Sequence, residues 1–429
     1  MRTEIKSTLA RGTGGGLLAR SAGVGIGFLS HVLLARLLQA EEYSRYIYVL
    51  TWLNVLVLLG KAGLDTATLR FVAAYRSSGE AGRLRGFLRK SRSIGFTVSV
   101  LVAATAGAVV TALSGRLDPV LYSAFLVSCL ALPVNGLLAI RSACLQAMKQ
   151  VIRAELPQSV ARPALTLAGA WLLFRILGRA PRSDETLGAY LAAGILALVV
   201  VEYWNRSALS GVETAAPPEY ETGLWVKTAM PLLLISGFHL VLNQTDTLML
   251  GMIRSTGEAG AYAVASRVTQ LIFLGQWAVN AIAAPMFSEL HHGGKKERLQ
   301  EAATYAARAA FLVTVPLAFG LVFFGRQVLA IFSSEFTVAW TALAILAAGQ
   351  IIHVLCGSVG LLMTMTGREN AAGKIIGMAA VLNIVLNAVL IPRFGLEGAA
   401  VSTAVSTAFW NITLVFLVRK RIGIRSTVL

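Results

Sequence analysis

The chain has 429 residues, of which 56% are hydrophobic and 14% are charged, and its mean hydropathy is +0.69. A soluble domain carries about 25% charged residues and lacks repeated apolar runs of about 20 residues. The composition therefore excludes a soluble protein and leaves no room for a soluble catalytic domain. The formal net charge is +17, but Lys and Arg lie mainly between the apolar runs, so topology explains the charge and we expect no nucleic-acid partner.

About twelve apolar segments, each long enough to cross a bilayer, follow one another along the chain. They are predicted at residues 13–38, 43–64, 92–114, 119–147, 155–178, 186–208, 224–251, 259–285, 302–325, 337–366, 373–391 and 396–418. The first is interpreted as a retained helix, because it is long and lacks a small-x-small cleavage site. Two short amphipathic segments are predicted at residues 65–75 and 286–292. The fold class is an all-α polytopic membrane protein.

The distribution of Lys and Arg predicts the orientation of the chain. An even number of helices places both termini on one side, and most of the basic residues lie at the termini and in the loops after even-numbered helices, as in the run Arg83–Arg92. The positive-inside rule therefore predicts that both termini are cytoplasmic. The run itself follows from topology, although such runs also attract anionic lipids.

A polar segment divides the chain nearly in half. SALSGVETAAPPEYETG, residues 207–223, contains the Pro, Gly and acidic residues that are typical of a linker. It predicts two six-helix lobes, residues 1–210 and 211–429. LLQAEEYSRYIYV (37–49) aligns with IRSTGEAGAYAVA (253–265), which pairs Glu42 with Glu258 and Tyr46 with Tyr262. We expect an internal repeat whose two copies have the same orientation in the membrane.

Three stretches resemble a known family. They are ARLLQAEEYSRYIYVLTWLNVLVLLGKAGLDTATLRFVAAY (35–75), DTLMLGMIRSTGEAGAYAVASRVTQLIFLGQWAVNAIAAPMFSEL (246–290) and TGRENAAGKIIGMAAVLNIVLNAVLIPRFGLEGAAVSTAVS (366–406). The family is that of polysaccharide transporters, the Wzx-type O-antigen flippases of the multidrug/oligosaccharidyl-lipid/polysaccharide (MOP) exporter superfamily. The resemblance spans nearly the whole chain, and its motifs identify the superfamily better than the cargo.

The resemblance implies a fold and a function. It implies two six-helix lobes around a central cavity lined mainly by helices one, two, seven and eight, as in MATE transporters. It also implies alternating access and, as cargo, a polyprenyl-linked oligosaccharide that crosses the bacterial plasma (inner) membrane. Membrane lipids and other polysaccharide-assembly proteins are the expected partners. The lipid II branch of the family usually has two more C-terminal helices, which disfavours a peptidoglycan precursor as cargo.

Catalytic signatures are missing from the sequence. It contains no H-E-x-x-H, G-x-S-x-G, P-loop or G-x-G-x-x-G motif. The pair His291-His292 lies in a basic loop and is interpreted as solvated, so we expect no metal site. We expect a transporter without a cofactor, coupled to protons or to sodium, and not an enzyme.

The seventh predicted helix carries a polar stripe. Ser236, His239, Asn243 and Asp246 are spaced 3, 4 and 3 residues apart and therefore share one helix face. A charged residue inside a membrane costs about 2.5–3.5 kcal/mol on insertion scales, so it should face a partner or a cavity. Two readings stay open: a cavity wall in which Asp246 binds a proton or a cation, or a hydrogen-bonded seam between helices.

Basic residues inside other helices are candidates for contact with cargo. Arg267 on the eighth helix, one turn before Gln270, can either hold a phosphate with its guanidinium fork or form an ion pair with Asp246. Arg20 on the first helix can contact a phosphate or reach the cytoplasmic surface. Lys61 and Asp65, four residues apart, form either a hinge and cavity floor or an ion pair at the membrane surface.

Together with the resemblance, which implies the cargo, these residues favour a flippase for a lipid-pyrophosphate-linked oligosaccharide used in cell-surface polysaccharide biosynthesis. The candidate cavity residues lean basic, which favours an anionic cargo. The alternatives are a multidrug or small-molecule exporter of the same superfamily, a membrane-embedded polysaccharide-assembly enzyme, and a scaffold protein.

Overall fold

The computed structural model describes the backbone of residues 2–210 and 217–428 and the side chains of residues 23–210, 217–234 and 236–428. This part of the chain is helical, with short connections. The helices are α1 (Arg2–Lys61), α2 (Leu64–Ser78), α3 (Ala81–Ala112), α4 (Pro119–Ala147), α5 (Val151–Leu156), α6 (Arg162–Leu177), α7 (Ser183–Leu209), α8 (Thr222–Ile253), α9 (Thr256–Gln270), α10 (Phe273–His292), α11 (Lys296–Phe323), α12 (Gly325–Phe332), α13 (Trp340–Leu355), α14 (Val359–Met365) and α15 (Glu369–Arg421).

The number of membrane crossings agrees with the sequence prediction. Within the described residues, nine helices are long and apolar enough to span a membrane, and the bent pair α9 and α10 makes a tenth. Two of these helices contain a joint: Gln39 interrupts α1 with φ 67°, and Gly395 interrupts α15 with φ 51°. Helices α1 and α15 therefore each contain two of the predicted segments, so the ten spans account for all twelve predicted segments. The all-α polytopic fold is confirmed.

Short segments differ in part from the prediction. The amphipathic segment predicted at residues 65–75 is helix α2, which buries Leu64, Phe71 and Tyr75 on one side. The segment predicted at 286–292 is not separate, because it continues α10 to His292. The tenth predicted helix, 337–366, is broken by Gly357, whose φ of 75° leaves the helical region and separates α13 from α14.

The chain forms two compact units, Met1–Gly237 and Phe238–Leu429. The division lies inside α8, beyond the linker, because the first turns of α8 bury Trp225 and Ala229 in the main apolar core of the first unit. The core of the second unit gathers residues of α10, α11, α14 and α15 around Phe287 and Met363. The boundary between residues 210 and 211 stays a prediction.

The repeat predicted from residues 37–49 and 253–265 has a structural counterpart in each unit. In that alignment Gln39, at the joint of α1, corresponds to Ser255, which separates α8 from α9. The paired residues Tyr46 and Tyr262 are both buried. The two units therefore break their first long helical segment at the same position in the repeat.

Candidate functional site: a buried carboxylate in the second unit

The polar stripe of α8 changes its surroundings along the helix. His239 and Asn243 are exposed, whereas Asp246 is only 3% exposed. The amide of Asn243 donates to the His239 carbonyl oxygen of its own helix at 2.6 Å. The stripe is thus neither a continuous buried seam nor a uniform exposed wall, and Asp246 is the member that other helices enclose.

Four neutral side chains surround the carboxylate of Asp246. Its Oδ1 accepts hydrogen bonds from the amides of Asn383, at 3.2 Å, and Asn387, at 2.5 Å. Its Oδ2 accepts from the Tyr262 hydroxyl, at 2.7 Å, and from the Thr403 hydroxyl. Both carboxylate oxygens therefore have two donors each, which suits the acceptor-only character of an ionised carboxylate.

Two other helices of the second unit supply these partners. Tyr262 comes from α9, which begins after the short break at Ser255. Asn383 and Asn387 lie one turn apart before the Gly395 joint of α15, and Thr403 lies after it. The joint lets a single long helix reach the same carboxylate from both of its arms.

The cluster also contains an unused oxygen. The Oδ1 atom of Asn387 is buried and has no hydrogen-bond partner among the described residues. Buried polar atoms are nearly always paired, so an unpaired one on a side chain that donates to the carboxylate is expected to have a further partner, such as water or an ion. Oxygen atoms of carboxylates, amides and hydroxyls are the ligands that hard cations prefer.

The basic candidate on α9 does not neutralise this acid. Arg267 is partly buried, but the hydrogen-bond partners of Asp246 are four neutral side chains and do not include it. The predicted alternative of an Asp246–Arg267 ion pair is therefore wrong. Gln270, the last residue of α9, is exposed.

The candidates near the end of α1 are brought together in the first unit. Lys61 Nζ and Asp65 Oδ2 are 2.5 Å apart, and each side chain is about one-fifth exposed. Ala62 and Gly63 between them have φ values of 48° and 72°, so the chain turns sharply there and α2 begins. The predicted ion pair is present. Arg20 lies outside the residues whose side chains the structure describes.

A second polar site lies in the first unit, around Arg162. A cavity of about 150 Å³ is lined by side chains that include Ser30, His31, Gln158 and Arg162. The guanidinium of Arg162 lies 3.8 Å from the centre of the Tyr190 ring. It donates to Asn135 Oδ1 at 2.5 Å.

The sequence alone does not identify every residue of the carboxylate cluster. Asn383 and Asn387 resemble ordinary polar residues that bridge helices, but the group to which they bridge is the candidate acid itself. Tyr262 had one signal, its place in the repeat opposite Tyr46. Thr403 had no such signal. It lies 157 positions from Asp246, and its place in the sequence does not distinguish it from other helix residues.

Comparison with known proteins places the chain in a family. The family model described as "Polysaccharide biosynthesis protein" matches residues 9–291, and the model described as "MatE" matches residues 231–389. A relative from Haloferax volcanii, named probable low-salt glycan biosynthesis flippase Agl15, is 30% identical over 164 residues, which are 38% of this chain and 35% of that protein. The chain matches little more than a third of the length of the first two curated relatives.

Two solved structures have a similar fold. One is an inward-facing multidrug resistance MATE family transporter of the MOP superfamily, with a TM-score of 0.72, 14% identity and coverage of 94% of this chain and 93% of that chain. The other is the lipid II flippase MurJ in an inward closed conformation, with a TM-score of 0.72, 15% identity and coverage of 94% and 87%. The chain belongs to the polysaccharide biosynthesis protein family and has the fold of the MOP exporter superfamily.

Proposed function

We propose that this protein is a flippase that moves a lipid-pyrophosphate-linked oligosaccharide across the plasma membrane by alternating access. The observation that carries the proposal is the buried carboxylate of Asp246, held by α9 and by both arms of α15 in a chain of this family. An acid inside a membrane-spanning helix is costly, and such residues are typical of ion and proton pathways.

Asp246 is proposed to bind the coupling ion. The acceptor atoms gathered there, from Asp246, Tyr262, Thr403 and the unpaired Oδ1 of Asn387, are all oxygens, which suits a sodium ion. A bound sodium ion would supply positive charge that neutralises the carboxylate. Because Asn383, Asn387 and Thr403 come from opposite sides of the Gly395 joint, neutralising Asp246 changes the contacts that hold the two arms of α15 to α8.

The proposed cargo follows from the basic candidates and from the family. Arg267 lies partly buried on a membrane-spanning helix pair, and a guanidinium fork matches the geometry of a phosphate. Arg20 is proposed as a second phosphate contact on the basis of its position in the sequence. The ammonium of Lys61 already forms an ion pair with Asp65. An anionic pyrophosphate linked to a sugar that cannot dissolve in hydrocarbon is the cargo that such residues suit.

The orientation of the protein in the membrane and its partner proteins are part of the same proposal. The excess of Lys and Arg at the termini and in even-numbered loops favours cytoplasmic termini. Other polysaccharide-assembly proteins are the partners that would supply and consume a lipid-linked oligosaccharide. No covalent step is assigned to the protein, because its proposed cargo leaves chemically unchanged.

Flipping in vesicles tests the cargo assignment. We expect Arg267→Ala and Arg20→Ala, each in purified protein reconstituted with a fluorescent polyprenyl-pyrophosphate oligosaccharide, to slow flipping at least tenfold, because a charge-assisted hydrogen bond contributes about 1.5–3 kcal/mol. Arg298→Ala is the matched control, because Arg298 is exposed at the start of α11. Wild-type rates in both arginine variants would refute phosphate contact, and export of a cationic dye without any flipping would favour the multidrug alternative.

A further inference from the structure

The cavity of the first unit contains a cation in an unusual setting. Arg162 stacks on Tyr190, which covers one face of its guanidinium, and its Nη2 donates to Asn135. Its Nε is buried and has no hydrogen-bond partner among the described residues. Buried donors are nearly always paired, and an unpaired donor on a charged group is especially costly, so Nε is expected to meet a ligand or water.

The backbone before Arg162 is adapted to the cavity. Residues Pro157–Ala161 form one turn of π-helix between α5 and α6. A π turn contains one more residue than an α turn and is frequent at functional sites. It rotates the positions after it, and both Gln158, inside this turn, and Arg162, directly after it, line the cavity. Gly23 allows the close approach of α1, because a Cβ there would lie 2.7 Å from the Cβ of Ser159.

The described lining of the cavity combines one arginine with polar and apolar side chains. The described side chains that line the cavity include Arg162, His31, Gln158, Ser30 and Tyr46, and none of them is an Asp or a Glu. His31 Nδ1 lies 3.2 Å from the hydroxyl of Tyr43. A guanidinium whose Nε has no partner among the described residues, in a cavity whose described lining contains no Asp or Glu, is suited to a carboxylate or a phosphate.

The internal repeat relates this cavity to the acid of the second unit. Continued back without a gap, the alignment of residues 37–49 with 253–265 pairs Ser30 with Asp246 and Tyr46 with Tyr262. Ser30 and Tyr46 line the basic cavity, whereas Asp246 and Tyr262 form the acidic cluster. The equivalent places in the two units thus differ in charge, which is expected if each takes a ligand of different charge.

We propose that the Arg162 cavity binds one oxyanion of the cargo, a carboxylate or a phosphate carried by a sugar of the glycan. This inference rests on the proposed function for the identity of the cargo. The cavity volume of about 150 Å³ is below the range of about 300–1,000 Å³ that drug-sized ligands fill, so it accommodates one such group and not a whole oligosaccharide. The cavity would then favour glycans that carry an acidic group.

Binding of simple probes tests the proposal with the full chain in lipid nanodiscs. Sodium glucuronate, inorganic phosphate and glucose are titrated by calorimetry at constant ionic strength. We expect glucuronate or phosphate to bind and glucose not to bind. We expect Arg162→Gln to weaken anion binding at least tenfold, because it removes the charge from the hydrogen bond. Arg175→Gln is the matched control, because Arg175 also stacks on an aromatic ring, Trp171, but does not line the cavity.

The outcomes separate this proposal from the flippase assignment. Binding of glucuronate identifies a sugar carboxylate as the group, and binding of phosphate alone identifies a phosphate; both support the cavity. Equal binding of glucose, or unchanged anion binding in Arg162→Gln, overturns it, even if flipping is normal. If the wild-type protein binds the anions but does not flip the lipid-linked oligosaccharide, the flippase assignment is contradicted instead. Should Arg162→Gln fail to fold, Ser30→Leu, which adds volume inside the cavity, must reduce anion binding as well.

Discussion

Asp246 is stable inside the second unit because its hydrogen bonds offset its burial. Placing a charged residue in the centre of a membrane costs about 2.5–3.5 kcal/mol on insertion scales. A hydrogen bond to a charged group contributes about 1.5–3 kcal/mol, and Asp246 accepts four from Tyr262, Asn383, Asn387 and Thr403. The burial of Asp246 therefore depends on its donors, and substituting a donor should lower the free energy of unfolding.

Asn387→Leu should destabilise the protein. It removes the 2.5 Å hydrogen bond to Asp246 Oδ1 and leaves a buried charge less satisfied. We expect the free energy of unfolding to fall by about 1–3 kcal/mol, measured by denaturant titration in detergent. The control is Asn243→Leu on the exposed side of α8, whose amide bonds only to its own helix. It should change stability by no more than about 0.5 kcal/mol. Equal losses in the two variants would show that the network does not hold Asp246.

At the scale of elements, the joints within long helices position the functional residues. The Gly395 joint brings Asn383 and Thr403 of one helix to the same acid. In the first unit, the turn at Ala62 and Gly63 separates α1 from α2 and places Lys61 beside Asp65. The joints, more than the straight segments, decide which polar residues meet.

Gly63→Ala should damage the joint between α1 and α2. Gly63 has a φ of 72°, and an added Cβ would collide with the backbone carbonyl of Ala229 on α8. We expect a loss of roughly 1–3 kcal/mol from backbone strain alone, seen as a lower thermal midpoint. Gly107→Ala serves as the control, since that helical glycine has nothing within 4 Å of an added Cβ. It should leave the midpoint unchanged or raise it. An unchanged midpoint for Gly63→Ala would contradict the described joint.

The sequence predicted the helices better than their faces. Apolar run length located the membrane crossings, because a bilayer imposes one length on every span. Spacing placed His239, Asn243 and Asp246 on one face of α8, but only Asp246 is enclosed. Which part of a face is covered depends on neighbouring helices distant in sequence. The Asp246–Arg267 pairing failed for the same reason, because the donors of α9 and α15 surround the carboxylate.

The whole molecule contains an acidic cluster in the second unit and a cavity lined by Arg162 in the first. The acid is proposed to take the coupling cation, and the cavity is proposed to take an anionic group of the cargo. Each unit thus has a site of its own, and Ser30 and Tyr46 of the first site align with Asp246 and Tyr262 of the second in the internal repeat. The central cavity between the lobes that the family resemblance implies stays a prediction.

Flipping of a lipid-linked oligosaccharide by Asp246→Asn tests whether Asp246 couples transport to an ion gradient. The rate is measured in vesicles with and without a sodium gradient, across a pH series. Wild-type protein should flip at least tenfold faster with the gradient, whereas Asp246→Asn, which cannot become charged, should lose this stimulation while keeping a wild-type thermal midpoint to within a few degrees. Glu301→Gln, which changes an exposed acid on α11, should behave as wild type. Stimulation by protons alone in the wild type would assign the site to protons instead of sodium. Full gradient-driven flipping by Asp246→Asn at every pH would contradict the account.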